Sequence, residues 1–254
     1  MFKATTALPR LVPAHVSEFA VKVSVADQCA SRPSLMSLHE CRVHKLVSGH
    51  PNIGTFYNAF SRGPYVLSLT ELLHGGDLRS VCEQWTTGLA EETVIDIGAQ
   101  VASALAHMHA RGFAHCDIKP DNVLLAETFS PHGANLIKLV DFGIATEFEV
   151  DEQDNASLSV VGGTPGYKPV EVEGGRPVDP RKVDSYCLGV MLCELLTGRH
   201  PFMDVGGDEA EAERRWDAAS AGMQTVLTWL MDDEPTNRPT PSQTVALLQE
   251  LKQE

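Results

Sequence analysis

The rhythm of apolar and polar positions changes about a third of the way along this chain. Over residues 19–25, Phe19, Val21, Val23 and Val25 alternate with Ala20, Lys22 and Ser24. That two-residue period predicts a half-buried strand, with Lys22 on its less apolar face. A helix is predicted next, opened near Ser31 and Pro33 and stopped at Gly49. Its stripe is Met36, Glu40, Val43 and Val47, which sets a carboxylate within an apolar face. Either Glu40 has a partner, because an unpaired buried charge is costly, or it lies at the stripe's wet edge. Residues 65–71 form another apolar strand, and His74, Gly75, Gly76 and Asp77 a flexible break that reads as a joint. Beyond it the pattern is helical. Residues 91–111 carry Val94, Ile97, Val101, Leu105 and Met108 on one face and end at Gly112. Residues 183–197 are apolar nearly all round, which predicts a buried central helix, and residues 245–251 form a short amphipathic closing helix.

Composition narrows the partners. The chain has 254 residues, ample for one large domain or two small lobes, and a formal net charge of -14. A surface that acidic repels nucleic acid and anionic lipid, so neither is expected as a main partner. A basic protein substrate is compatible with it, although acid kept for solubility explains the charge as well. Among the six cysteines, Cys29, Cys41, Cys82, Cys116, Cys187 and Cys193, no pair has the C-x-x-C spacing. Reduced thiols in an intracellular, cytoplasmic compartment are the expectation. The longest apolar run is broken by Glu194, and no transmembrane span is predicted. Residues 1–16 hold Lys3 and Arg10 but no continuous apolar stretch. No signal peptide is read there, and a vacuolar location is left only for a chain that has lost a leader. A monomer is expected.

The chemistry is concentrated in the run His115-Cys116-Asp117-Ile118-Lys119-Pro120-Asp121-Asn122-Val123-Leu124-Leu125, followed by Asp141-Phe142-Gly143. Phosphoryl transfer from ATP needs a carboxylate to accept the hydroxyl proton, oxygen ligands for magnesium and a cation for developing phosphate charge. Asp117, then Asn122 with Asp141, then Lys119 supply these in turn. Each triplet alone is common; the ordered composite is specific.

This composite resembles the catalytic loop and metal-binding triplet of protein kinases. The resemblance covers nearly the whole chain. It implies an α+β, bilobal kinase-like fold with a small truncated β-rich N-lobe at residues 1–71, a hinge at 72–77 and a larger, mainly helical C-lobe at 78–254. It implies ATP and magnesium as cofactors and a protein serine or threonine as acceptor, since Lys119 and Thr164 match the serine/threonine pattern. Ala20-Val21-Lys22 resembles the strand whose lysine holds the α- and β-phosphates, and Glu40 its ion-pair partner. Thr70 falls at the gatekeeper position, with Glu71 to Leu73 as the adenine-binding hinge and Leu124 beneath the adenine. Glu171 and Arg238 match an ion pair that anchors the activation segment, though two surface charges would read the same. Asp184, Tyr186 and Gly189 match the start of the central helix.

The chain departs from the pattern in several places. Met1 to Val21 contain no glycine, so the glycine-rich loop is missing and too few residues precede Lys22 for a complete strand pair. An N-terminally cut fragment, a pseudokinase acting as scaffold, and a likeness to the with-no-glycine-loop kinases of apicomplexan parasites all account for this. Retention of Lys22, Glu40, Asp117, Asn122 and Asp141 favours an active enzyme. Cys116 replaces the arginine that grips an activation-loop phosphate, while Glu147, Glu149, Asp151, Glu152 and Asp154 supply nearby acid. Lys168-Pro169-Val170-Glu171 stands where Ala-Pro-Glu is usual. His44 takes the place of an apolar residue one turn after Glu40, and reads as a neutral packed imidazole. The stretch from Phe202 to Arg238 is short, so its docking helices are expected to be trimmed.

Overall fold

Alternation and antiparallel pairing build the first lobe. The computed structural model describes residues 2–5, 11–25, 35–131, 133–152, 154–159, 161–173 and 177–253. Strands β1 (Phe2–Thr5), β2 (Glu18–Val25), β3 (Phe56–Arg62) and β4 (Tyr65–Thr70) form one antiparallel sheet in the order β1-β2-β4-β3. Among the described residues a single strand, β1, precedes the lysine strand β2. Helix α1 (Leu35–Val47) packs on β3 and β4. The predicted opening residues Ser31 and Pro33, like Cys29, lie outside the described residues.

Two readings of the hydrophobic pattern are corrected here. The apolar side of β2 is not its covered side. Phe19 is buried with Val12 and Leu69, but Val23 is exposed and Val25 is 60% exposed. The face bearing Ala20 and Lys22 is the one turned to α1 and the cleft, paired across to Thr70 and Ser68. Among the described residues the outer face is covered at one end only, by Leu11, Val12 and Val16. In α1, Val43 and Val47 are buried as predicted, whereas Met36 is 66% exposed. The first turn carries Leu35 and Leu38 exposed beside it, so burial of this helix begins only with its second turn.

The break at His74–Asp77 is pinned rather than loose. His74 and Gly75 donate backbone hydrogen bonds to Ala126 and Leu125, and Asp77 bridges to Leu124. A Cβ on Gly75 would collide with the Glu127 carbonyl, so glycine is required for this close approach. Asp77 then caps α2 (Leu78–Gln84), accepting from the Ser80 backbone at 2.8 Å.

The second lobe is helical. Helix α3 (Glu91–His109) buries the predicted stripe Val94, Ile97, Val101, Leu105 and Met108 completely. Short strands β5 (Phe113–Ala114) and β8 (Thr146–Glu147) pair with each other, as do β6 (Val123–Leu125) and β7 (Ile137–Leu139). A four-residue helix, α4 (Val170–Glu173), leads to α5 (Pro180–Thr197), which is buried along almost its whole length against α3, α6 (Glu209–Ala218) and α7 (Ala221–Leu230). Two ten-residue helices, α6 and α7, thus occupy the short stretch after Phe202. Helix α8 (Pro241–Leu251) starts four residues earlier than its apolar pattern, because Thr240 and Gln243 form a reciprocal capping box. A small sheet-bearing lobe and a larger helical lobe make this an α+β, two-lobed fold.

Candidate active site

Between the lobes lies a cavity of about 300 Å³. Its walls bring together Ala20, Lys22, Glu40, Thr70, Glu71, Leu73, Leu124, Asn122 and Asp141, every residue expected of a nucleotide and metal site. On the small-lobe side, Lys22 Nζ donates to Glu40 Oε1 at 2.6 Å and to Asp141 Oδ1 at 3.2 Å. Glu40 therefore has the partner its apolar stripe demanded. Burial pulls the Lys22 ammonium down, but the hydrogen bonds and charges of Glu40 and Asp141 outweigh it, and its pKa is raised. Lys22 stays charged.

The catalytic-loop residues form a network of their own. Thr164 Oγ1 donates to Asp117 Oδ1 at 2.5 Å, and Lys119 Nζ donates to Thr164 Oγ1 at 2.7 Å. Lys119 also stands 3.1 Å from Asp117 Oδ2. Asn122 Nδ2 donates to the Asp117 backbone carbonyl at 2.8 Å and to Oδ2 at 2.9 Å. Burial raises the Asp117 pKa, but these hydrogen bonds and the Lys119 charge win, and it falls below the usual carboxylate range.

The backbone is forced into shape at two positions of the site, one a cysteine and one an aspartate. Cys116 and Asp141 have φ of 64° and 61°, left-handed values that a side chain disfavours. What holds the first is Asp184, buried in α5, whose carboxylate accepts the backbone N–H of His115 at 2.9 Å and of Cys116 at 2.7 Å. His109 adds a third donor to it at 2.7 Å. Sequence matching assigned Asp184 only to the start of a helix. A lone aspartate in a helix apolar on all sides was the signal that it had buried donors to satisfy.

His44 also lines the cavity. Its Nε2 donates to the Gly54 carbonyl at 2.6 Å, and its ring centroid lies 4.6 Å from that of Phe142. Burial lowers its pKa to about 4, so the imidazole is neutral, as read from sequence. Ser68, Gly54 and Val140 also line the wall and were not singled out. The Glu71 carboxylate is held by Thr55 and Lys138.

Among the described residues no arginine clamp for a phosphate is built around Cys116. It is buried with Ala114, Phe148 and Ala156 in an apolar cluster that Ile144, Leu158 and Val161 extend. The acidic segment is tied down by ordinary side chains. Arg42 of α1 forms a two-pronged pair with Glu147 at 2.8 and 3.0 Å, and His39 donates to the Ala145 carbonyl at 2.8 Å. Arg181 joins Asp154 to Asp179. Further on, Glu171 and Arg238 do form the expected ion pair, at 2.5 and 3.2 Å, with Arg238 wholly buried over the Tyr186 ring.

The donors fit a hard divalent cation. Asn122 spends its amide hydrogens on Asp117, which turns its carbonyl oxygen towards any ligand, and Asp141 adds a half-exposed carboxylate. Among the described residues no group of three or more His, Cys, Asp or Glu would hold a metal alone. Magnesium takes one or two protein oxygens together with phosphate oxygens, and Asn122 with Asp141 match that donor set. The described helices include none long and apolar enough to cross a membrane.

Comparison with known proteins agrees with this geometry. The sequence model for the protein kinase domain matches residues 13–248. Serine/threonine-protein kinase Pkn1 of Myxococcus xanthus is 36% identical over 192 residues, covering 75% of this chain and 26% of its own length. Serine/threonine-protein kinase chk1 of Schizosaccharomyces pombe is 31% identical over 210 residues, covering 78% and 40%. The phosphorylase b kinase gamma catalytic chain, liver/testis isoform, of Mus musculus is 28% identical over 249 residues, covering 89% and 58%. The chain thus spans a quarter to three fifths of the length of these relatives.

Proposed function

The chain belongs to the protein kinase family, serine/threonine type, and we propose that it transfers the γ-phosphoryl group of ATP to a serine or threonine hydroxyl of a protein. The observation that carries this reading is the junction at Asp117: one carboxylate oxygen accepts from Thr164, and the other meets both Lys119 and Asn122. In this reading Asp117 accepts the hydroxyl proton. Its lowered pKa keeps it ionised and so able to take that proton. Lys119 and Lys22 offer cations to phosphate oxygens, and Glu40 holds Lys22 in place. Ala20, Leu124 and Leu73 supply the apolar surface for adenine, with backbone groups of Glu71 and Leu73 as its hydrogen-bond partners, and Thr70 at the back. Asn122 and Asp141 would hold magnesium, which when bound neutralises phosphate charge. The domain boundaries we assign are residues 1–71, 72–77 and 78–254.

Transfer of label from ATP to generic basic substrates, beside an Asp117→Asn control, tests the proposal. Label in both proteins or in neither would refute it, and the second outcome would leave a binding or scaffold module. The chain carries no glycine-rich segment ahead of Lys22. Backbone N–H bonds to a charged phosphate are each worth roughly 1.5–3 kcal/mol. Calorimetry should therefore find weak ATP binding that depends steeply on magnesium.

A further inference from the structure

The segment between α1 and β3 belongs to the small lobe but is fastened to the large one. Asn52 donates from its side chain to Gln100 of α3 at 2.8 Å and to the Ile137 carbonyl at 3.0 Å, and its own carbonyl accepts the Leu139 N–H at 2.8 Å. Two histidines complete the fastening. His50, in this segment, meets the Ser103 hydroxyl of α3 through Nε2 at 3.2 Å. His107 of α3 reaches back through Nε2 to the Val47 carbonyl, at the end of α1, at 3.0 Å. The two rings, both half-buried, lie 4.8 Å apart between centroids.

The partners of these rings fix where their protons sit. His50 Nδ1 accepts the Asn52 backbone N–H at 3.1 Å, so its proton is on Nε2. His107 Nε2 faces a carbonyl, which only accepts, and its Nδ1 stands 3.2 Å from the Arg111 guanidinium, which only donates. Both rings are therefore neutral, and all four ring nitrogens are in use. A further proton has to go to an Nδ1 that already serves as an acceptor. On His107 it displaces Arg111, an exposed side chain. On His50 it strips the acceptor from the N–H of Asn52, a residue only 7% exposed. The charged groups that face the pair are Arg111 of α3 and Lys138 of β7, and Lys138 is itself bound to Glu71 at 3.0 Å. Burial first, then the cations beside them, hold both imidazoles below the ordinary 6.5, and the Val47 carbonyl offsets this only in part at His107. Once the joint has opened the rings titrate normally, so falling pH favours opening.

We propose that the His50–His107 pair is a proton-sensitive joint between the lobes: uptake of a proton frees the Asn52 N–H and loosens the hold of α3 on the end of α1, the helix that carries Glu40, so that phosphoryl transfer is turned down in mild acid. The effect on transfer rests on the kinase reading; the loosening does not. Hydrogen exchange, corrected for the intrinsic rate, tests it between about pH 7.5 and about pH 5, the range in which histidine titrates. In the native protein, protection of the amides of residues 52–54 should fall by about tenfold, the size of one hydrogen bond. The control is His50→Asn combined with His107→Gln. The Asn carboxamide oxygen can accept the N–H two residues on, the Gln amide can donate to the Val47 carbonyl, and neither takes up a proton. There protection should stay within about twofold, well under the loss of one hydrogen bond. If the double variant does not fold, His50→Asn alone carries the comparison. In the transfer assay, kcat should drop between the two pH values by about threefold more in the native protein than in the variant, a size that coupling through packed elements allows. Protection that ignores pH in the native protein, or that falls as steeply in the variant, overturns the inference, and so does an equal drop in kcat. Absence of transfer at every pH counts against the kinase reading instead, and hydrogen exchange still decides the joint.

Discussion

The two lobes make their ion pairs in opposite settings. In the small lobe, Lys22 and Glu40 meet at the edge of an open cleft, with the lysine side chain 33% exposed. In the large lobe, Arg238 is sealed against Glu171, the Tyr186 ring and the carbonyls of Asp232 and Lys182. The first pair is partly solvated and adjustable, as the proposed exchange of a carboxylate for a phosphate requires. The second is enclosed by these groups, so its charge is committed to the fold. The same contrast runs through the apolar residues. The sheet leaves Val25 and Tyr65 to solvent, while α5 buries nearly every side chain it has. Chemistry is set where groups remain free to change partners, and stability where they do not.

The sharpest way to break that contrast lies at the junction of the lobes. Asp117→Asn keeps the shape and removes the base, so phosphoryl transfer should fall by about a hundred- to ten-thousandfold, with little change in thermal midpoint. A midpoint shift as large as that of a core mutant would show that Asp117 belongs to the structural set. Arg238→Ala should do the reverse. Leaving Glu171 without its cation in a dry setting costs about 3–5 kcal/mol of folding stability by denaturant titration. Lys22→Ala, by comparison, should change stability by no more than about 1 kcal/mol, as expected of a partly exposed pair, while transfer drops by orders of magnitude.

His44 offers a pH test of the small lobe. Its pKa falls from an ordinary 6.5 to about 4 in the fold. The unfolded chain therefore binds the proton first as pH drops. Stability contributed by the neutral ring is present above pH 6.5, declines between 6.5 and about 4, and is lost below. At about 1.4 kcal/mol per unit this amounts to about 3 kcal/mol. His44→Leu should flatten that part of the stability–pH curve; an unchanged slope would mean the imidazole titrates normally.

The smallest effect is expected from phosphatase treatment. Among the described residues the Cys116 cluster is apolar, and Arg42 and Arg181 already have carboxylate partners, so neither arginine is open to a phosphate on Ser157 or Ser159. The transfer rate should change by less than about twofold. A large fall, restored by rephosphorylating Ser157 or Ser159, would show a switch that this geometry does not explain.

How much of this was legible beforehand depends on the range of the interaction. Local periodicity placed β2, α3 and α5, because a strand repeats every two residues and a helix every 3.6 whatever surrounds them. The ordered run from His115 to Leu125 with Asp141-Phe142-Gly143 marked the candidate catalytic residues, because the proposed chemistry demands those types in that order. Periodicity misjudged Met36 and the outer face of β2, since an apolar stripe does not reveal whether anything covers it. The break at Gly75 looked loose because its bonds to β6 run to a strand some fifty residues away. Asp184 beneath the catalytic loop and the apolar cluster around Cys116 were likewise decided by tertiary structure. Each depends on donors, acceptors or side chains that are distant in the chain and become neighbours only when the helical lobe closes around α5.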